Sequence, residues 1–166
     1  MKTMKSLIQI IALSLFLSSC SKLAVKPDED NGVFGGADAK VTGSMKAKLD
    51  GKDWEAKKLE FGGALALVTL NGSIDTDNFI SLEFIDTDLK LNTKYGLGTE
   101  KGDNELQNLL VKIKGEIYFA TSGGVKFTKY TRGKTLSGEI NGKLYDYLNK
   151  KEVLLENCTF SMTYNN

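Results

Sequence analysis

The chain has 166 residues, with 22 Lys+Arg, 21 Asp+Glu and no His. Without His there is no Ser-His-Asp or Cys-His nucleophile, no His general base and no His-containing metal site. A charge balance this close to zero lacks the basic footprint of a nucleic-acid binder, and the length suits a single domain.

Lys2 and Lys5 precede an apolar stretch, Leu7 to Leu17 (LIQIIALSLFL). A stable membrane-crossing helix needs about 20 residues. This stretch is shorter, and polar sequence follows at once, so residues 1–19 read as an export signal. Lys2 and Lys5 are its only charges, so its removal leaves 147 residues with 20 cationic and 21 anionic groups.

The signal ends in Leu17-Ser18-Ser19-Cys20. Here the sequence resembles bacterial lipoproteins, whose lipobox is Leu, two small residues and Cys. The resemblance implies cleavage before Cys20, lipidation of its sulfur and acylation of the new amino terminus. Each buried methylene adds roughly 0.8 kcal/mol of membrane affinity, and two acyl chains already hold a protein stably. The expected partner of this end is therefore a membrane, and the expected location is the cell envelope, lipid-anchored in the outer membrane. Cys158 is then left without a partner in the chain. Its place in an alternating strand reads as a small buried hydrophobe.

Residues 20–43 read as the lipidated Cys and a flexible tether. They contain the only Pro (Pro27), the acidic run Asp28-Glu29-Asp30, Asn31-Gly32 and Gly35-Gly36. The flexible-chain estimate gives a reach of about 25–30 Å. Lipoproteins of the Bacteroidetes carry an acid-rich stretch after the lipidated Cys that marks them for the outer face of the outer membrane. Ser21-Lys22 fits its start, whereas the acids here come only at Asp28 to Asp30. A periplasmic and a surface-facing domain both stay open.

Residues 44–166 read as one all-β domain, rich in Gly and in short runs of Val, Ile, Thr, Phe and Tyr. Met45, Ala47 and Leu49 alternate with Lys46, Lys48 and Asp50, the pattern of a half-buried strand. Asp50-Gly51 is a strong hairpin signal. Trp54 and Ala56 lie in one phase and Leu59 and Phe61 in the other, which a bend near Lys57-Lys58 reconciles. Gly62-Gly63 predicts a break, and Ala64 to Leu70 (ALALVTL) a central strand. Asp75-Thr76-Asp77-Asn78 predicts a turn. Phe79 to Ile85 follows, with Ile80, Leu82 and Phe84 on one face. Tyr95-Gly96-Leu97-Gly98 suggests a short edge strand, and Asp103 to Leu109 a helical turn.

Leu109 to Phe119 reads as one strand, with Val111, Ile113, Ile117 and Phe119 inward and Lys112, Lys114, Glu116 and Tyr118 outward. Ser122-Gly123-Gly124 predicts a turn. Val125 and Phe127 open the next strand, which Thr131-Arg132-Gly133-Lys134 ends. Leu136, Gly138, Ile140, Gly142 and Leu144 share a face of the following strand. After a turn at Asn149-Lys150-Lys151, the last strand places Cys158, Phe160, Met162 and Tyr164 together.

Eight or nine strands with short links predict an antiparallel β-sandwich or flattened barrel, with a lipocalin-like closed barrel as the alternative. The sandwich is preferred, and the last four strands form a meander. The stretch Lys46-Ala47-Lys48-Leu49-Asp50-Gly51-Lys52-Asp53-Trp54 resembles the opening hairpin of Bacteroidetes lipoprotein domains of unknown function. So do Val125 to Tyr130, Gly133 to Gly138 and Glu156 to Phe160. The resemblance implies an all-β envelope lipoprotein and carries no activity with it.

Asp75, Asp77 and Asn78, with Asp86 and Asp88, are the most metal-like residues. The two groups bracket a seven-residue strand, which puts them roughly 23 Å apart, and neither has the pattern of a calcium loop. They read as turn chemistry, and no metal or cofactor is expected. Among the aromatics, Trp54 reads as core. Tyr118 and Tyr145 lie on the polar phases of their strands and are the candidate ligand-facing residues, for a protein or glycan partner. No catalytic residue stands out. The expected function is a lipid-anchored, non-enzymatic binding or scaffolding domain with no nucleic-acid partner. The rivals are a lipocalin-like small-molecule carrier, which needs a lumen, and an envelope hydrolase using paired carboxylates.

Overall fold

The structure, a computed structural model, describes residues 40–87, 89–100 and 108–165. Ten strands form one antiparallel sheet: β1 (Lys40–Leu49), β2 (Lys52–Glu55), β3 (Lys58–Ala64), β4 (Leu67–Asp75), β5 (Asn78–Ile85), β6 (Lys94–Gly96), β7 (Asn108–Ile113), β8 (Glu116–Thr131), β9 (Thr135–Asp146) and β10 (Lys151–Asn165). Nine follow the order β2-β1-β10-β9-β8-β7-β5-β4-β3, and β6 takes the edge of β8 that β7 leaves free.

The expected all-β antiparallel class is thus met by a single sheet curled into a half-barrel, rather than by two stacked sheets. The ends of the sheet belong to one bent stretch of chain. β2 pairs with β1, then the chain turns at Ala56-Lys57 and β3 pairs with β4. The Ala56 N–H still donates to the Met45 carbonyl at 2.9 Å, whereas the Lys57 N–H donates to the Ser73 carbonyl at 2.8 Å. This is the bend that the phase change between Trp54 and Phe61 predicts. β7, β8, β9 and β10 form the expected meander.

Two hairpins divide runs that read as single strands. Leu65-Ala66 turns between β3 and β4, with Leu65 at φ 55°. Lys114-Gly115 turns between β7 and β8, with φ of 50° and 85°. Conversely, Gly62-Gly63 continues β3, and Ser122-Gly123-Gly124 lies inside the 16-residue β8. Gly123 is required there by proximity. A Cβ would meet the Asn141 carbonyl oxygen at 2.2 Å and the Gly142 Cα at 2.5 Å. Register shifts in β8 at Ala120/Ser122 and in β10 at Leu155/Cys158 mark bulges, which bend a sheet and increase its twist.

The concave face holds the core. Phe127 of β8 packs against Phe84 of β5 at 4.5 Å between centroids, against Phe160 of β10 at 6.1 Å and against Tyr95 of β6 at 6.1 Å. Gly72 of β4 leaves room for Met45 of β1, whose sulfur would lie 2.4 Å from an added Cβ. The contacts of Phe127 with Phe84 and Phe160 and of Gly72 with Met45 join strands that are not neighbours in the sheet, so side chains fill the interior. Fully burying a Leu, Ile, Val, Phe or Met contributes about 1.5–3 kcal/mol. The inward phases of β1, β5, β9 and β10 are those their alternation predicts, with Met45, Leu82, Leu136 and Cys158 all fully buried.

β1 already begins at Lys40, inside the span that composition assigns to the tether. The export signal, Cys20 and the acidic run lie outside the described residues, as does most of the helical turn expected over 103–109. Asn108 and Leu109 belong to β7, and a single 3-10 turn stands earlier, at Gly98–Glu100.

Candidate binding face

The hairpin at Lys114-Gly115 decides which side chains reach solvent. It pairs Leu110 with Phe119, Val111 with Tyr118 and Lys112 with Ile117. Directly opposed residues share a face. Val111 and Tyr118 therefore point into the core, and Leu110, Ile117 and Phe119 point out. This corrects the expected phase of this segment. Tyr118 is not ligand-facing: it is 3% exposed, while Ile117 is 44% and Phe119 47% exposed.

The outward row continues across the sheet. Leu110 opposes Ser81 of β5, Phe119 opposes Tyr145 of β9, and Tyr145 opposes Glu152 of β10. The next row carries Phe79, Lys112 and Ile117. Tyr147, two-thirds exposed, sets its ring edge-on to Tyr145 at 5.0 Å. The convex face thus presents a strip of apolar and aromatic side chains. Beside it runs a groove of about 610 Å³ lined by Phe79, Ser81, Glu83, Asn108, Leu110 and Phe119. Among the described residues, the side chains of Ser81, Glu83 and Asn108 have no hydrogen-bonding partner. The groove therefore has an apolar floor and an unengaged polar rim.

Of the two candidate residues, Tyr145 stands on this face, half-buried, as its phase predicts. Tyr118 instead reaches the end of the core, where its Oη donates to Glu116 Oε2 at 2.7 Å. The other oxygen of Glu116 takes the Lys151 Nζ at 2.5 Å. Burial, followed by the Glu116 contact, pushes the Tyr118 phenol up to about 12. Trp54 is core, as expected.

Tyr130 also turns inward. Its Oη donates to Asp86 Oδ2 at 2.5 Å, and burial with this bond raises its phenol well above the ordinary value. The Arg132 guanidinium pairs with the same Asp86 oxygen and donates to the Leu65 carbonyl. Together these groups fasten the Leu65-Ala66 turn to the corner between β8 and β9.

The remaining candidate groups are occupied structurally. Asp75 Oδ1 accepts from the Asp77 N–H at 2.8 Å and from Asn78 Nδ2 at 2.9 Å, and Asp77 pairs with Lys112. This is the turn chemistry its spacing suggests. Asp86 serves the cluster just described, and Asp88 lies outside the described residues. Among the described residues, no three His, Cys, Asp or Glu side chains are grouped to hold a metal ion. Cys158 is fully buried, and burial pushes its thiol up to about 12. That removes the thiolate needed for nucleophilic chemistry near neutrality.

Sequence reasoning missed Ile117 and Phe119 as exposed residues and did not single out the half-buried Phe79 and Leu110 beside them. The signal was present in Lys114-Gly115, two turn-compatible residues between alternating runs. No family model matches this chain, and no match is found among the curated proteins or the solved structures.

Proposed function

We propose that this chain is a lipid-anchored lipoprotein of the bacterial outer membrane whose β domain binds or scaffolds a partner and catalyses no reaction. Supporting the anchor is the run Leu17-Ser18-Ser19-Cys20 directly after an apolar stretch too short to span a bilayer. Supporting the binding role is one observation: the concave side is packed with side chains, whereas the convex side carries an apolar strip next to a groove with a polar rim. Apolar surface left in water at a cost of about 25 cal/mol per Å² marks contact sites when it is contiguous. A packed interior also counts against the small-molecule carrier, which needs a hollow one.

Two measurements test the reading. Metabolic labelling with a fatty acid marks the wild-type chain and not Cys20→Ala; equal labelling of both refutes the anchor. A photo-crosslinking phenylalanine analogue in place of Tyr147 gives adducts with an envelope component in living cells. Replacing exposed Lys129 in the same way gives none. Equal adduct yields from the two positions refute the binding face.

A further inference from the structure

β1 pairs with β10 along its whole length but with β2 only over Lys46–Leu49. Among the described residues, its first half therefore keeps one free edge. β3 pairs with β4 and has no described strand on its other side. The two edges meet where Ala56 bonds Met45 and separate once Lys57 has turned to Ser73. The space between them is a wedge of about 550 Å³, bounded by Lys40–Gly43 on one side and Ala56–Leu59 on the other.

Backbone polarity within the wedge follows from strand periodicity. The Met45 carbonyl points to this side, so those of Gly43 and Val41 do as well. Ala64 and Leu67 close the two-residue turn between β3 and β4 as a hydrogen-bonded pair, so Lys58 and Glu60 bond β4 and the backbone groups of Leu59 point into the wedge. An unpaired edge is a template for another strand. Val41, Ala56 and Leu59 are half-buried against the core and supply an apolar floor. The rim is cationic. Lys58 is paired with Glu60 at 2.6 Å. Lys40 and Lys57 are exposed, and among the described residues no carboxylate lies within ion-pair distance of either.

We propose that this wedge docks an extended acidic segment of a partner protein, added as a further strand on the free edge of β1. Its backbone takes the hydrogen-bonding groups of Val41 and Gly43. Alternate apolar side chains rest on Val41 and Leu59, and its carboxylates meet Lys40 and Lys57. This surface is separate from the convex strip, so either can fail without the other.

The test uses the full acylated chain in detergent and a capped Asp-Val-Glu-Val-Asp peptide carrying a fluorophore. The peptide is expected to bind, to slow amide exchange in β1 between Lys40 and Ser44, and to weaken as salt is raised. The double variant Lys40→Glu, Lys57→Glu lowers affinity at least tenfold. Val41→Pro removes one edge N–H and blocks protection, since Pro is tolerated at a strand edge. If Val41→Pro disturbs the circular dichroism spectrum, the charge reversal of two exposed side chains decides alone. Equal binding of a Lys-Val-Lys-Val-Lys peptide, or unchanged affinity in the charge-reversed chain, overturns the proposal. So does binding that appears only after Asp28, Glu29 and Asp30 are replaced by Ser, which would assign the wedge to the chain's own acidic run.

Discussion

Truncating Tyr118 and truncating Phe119 should have very different costs, although the two residues are adjacent in β8. Tyr118 is 3% exposed and lies with Val111 in the packed interior. Removing a buried large aromatic costs about 3–5 kcal/mol, the lost transfer energy plus the cavity left behind. The bond to Glu116 adds about 1 kcal/mol, partly offset because Lys151 still holds that carboxylate. Phe119 is nearly half exposed, and what it loses is its cross-strand pairing with Leu110 and Tyr145. Such pairs contribute roughly 0.2–1 kcal/mol each. The expectation is about 4 kcal/mol for Tyr118→Ala against about 1 kcal/mol for Phe119→Ala. Urea unfolding followed by circular dichroism reads the difference. With a slope of about 1.5 kcal/mol per M, the midpoints should fall by roughly 2.7 M and 0.7 M. The continuous-strand alternative for Leu109 to Phe119 predicts the reverse order. A larger loss for Phe119→Ala would therefore remove the hairpin at Lys114-Gly115 and, with it, the convex strip.

Three further outcomes follow from the geometry. Gly72→Val should destabilise by about 1–3 kcal/mol, because the buried Met45 side chain must shift within the packed interior to admit it; a thermal midpoint equal to wild type would contradict the packed interior. Stability should decline in alkali. The folded-state values of Cys158 and Tyr118 are raised to about 12 from 9.0 and 10.0. Their contribution is complete below the unfolded values and is lost as pH rises from about 9 to about 12; a flat urea midpoint across that window would count against their burial. Arg132→Ala should lower the thermal midpoint and speed proteolysis at Leu65, since it frees the exposed β3–β4 turn from Asp86; unchanged cleavage there would show that the fastening is unimportant.

Where alternation was strict, phase and burial agreed. Ile80, Leu82 and Phe84 of β5 and Phe160 and Met162 of β10 are inward because the opposite phase carries Ser81 and Glu83 in β5 and Thr159, Ser161 and Thr163 in β10, and a one-residue slip would bury these polar groups. The errors arose where composition was symmetric about a turn. Leu65 adopts φ 55° without being Gly or Asn, so nothing in ALALVTL marks a reversal. At Lys114-Gly115 the turn residues were visible, but apolar residues continue at the same spacing on both sides. A two-residue turn changes which of them share a face. Gly123-Gly124 misled in the opposite sense. Glycine there answers the close approach of β9, not the need for a reversal. The candidate site inherits these errors. Tyr145 lay on a well-patterned strand and was placed on the surface, whereas Tyr118 lay beyond the unrecognised turn and was not. The Asp86–Tyr130–Arg132 cluster joins residues 44 and 46 positions apart, a separation that local pattern does not encode.

The strip and the wedge have a common origin in how the sheet closes. A fully closed barrel hides both strand edges and leaves only its lumen and loops for recognition. Here the bent stretch β2–β3 bridges the sheet ends at Ala56-Lys57, so the interior is sealed by side chains while, among the described residues, the first half of β1 has no strand on one edge. Curling a sheet around one filled core also leaves its convex face without a covering layer among the described residues. A sandwich would bury that face under a second sheet. The apolar residues on it, Ile117 and Phe119 above all, therefore contribute little to the core. Their replacement by Thr should lower the urea midpoint far less than Tyr118→Ala does while removing the crosslinks expected from position 147. A protein that kept those crosslinks after the double substitution would have to recognise its partner through the polar rim of Ser81, Glu83 and Asn108 alone.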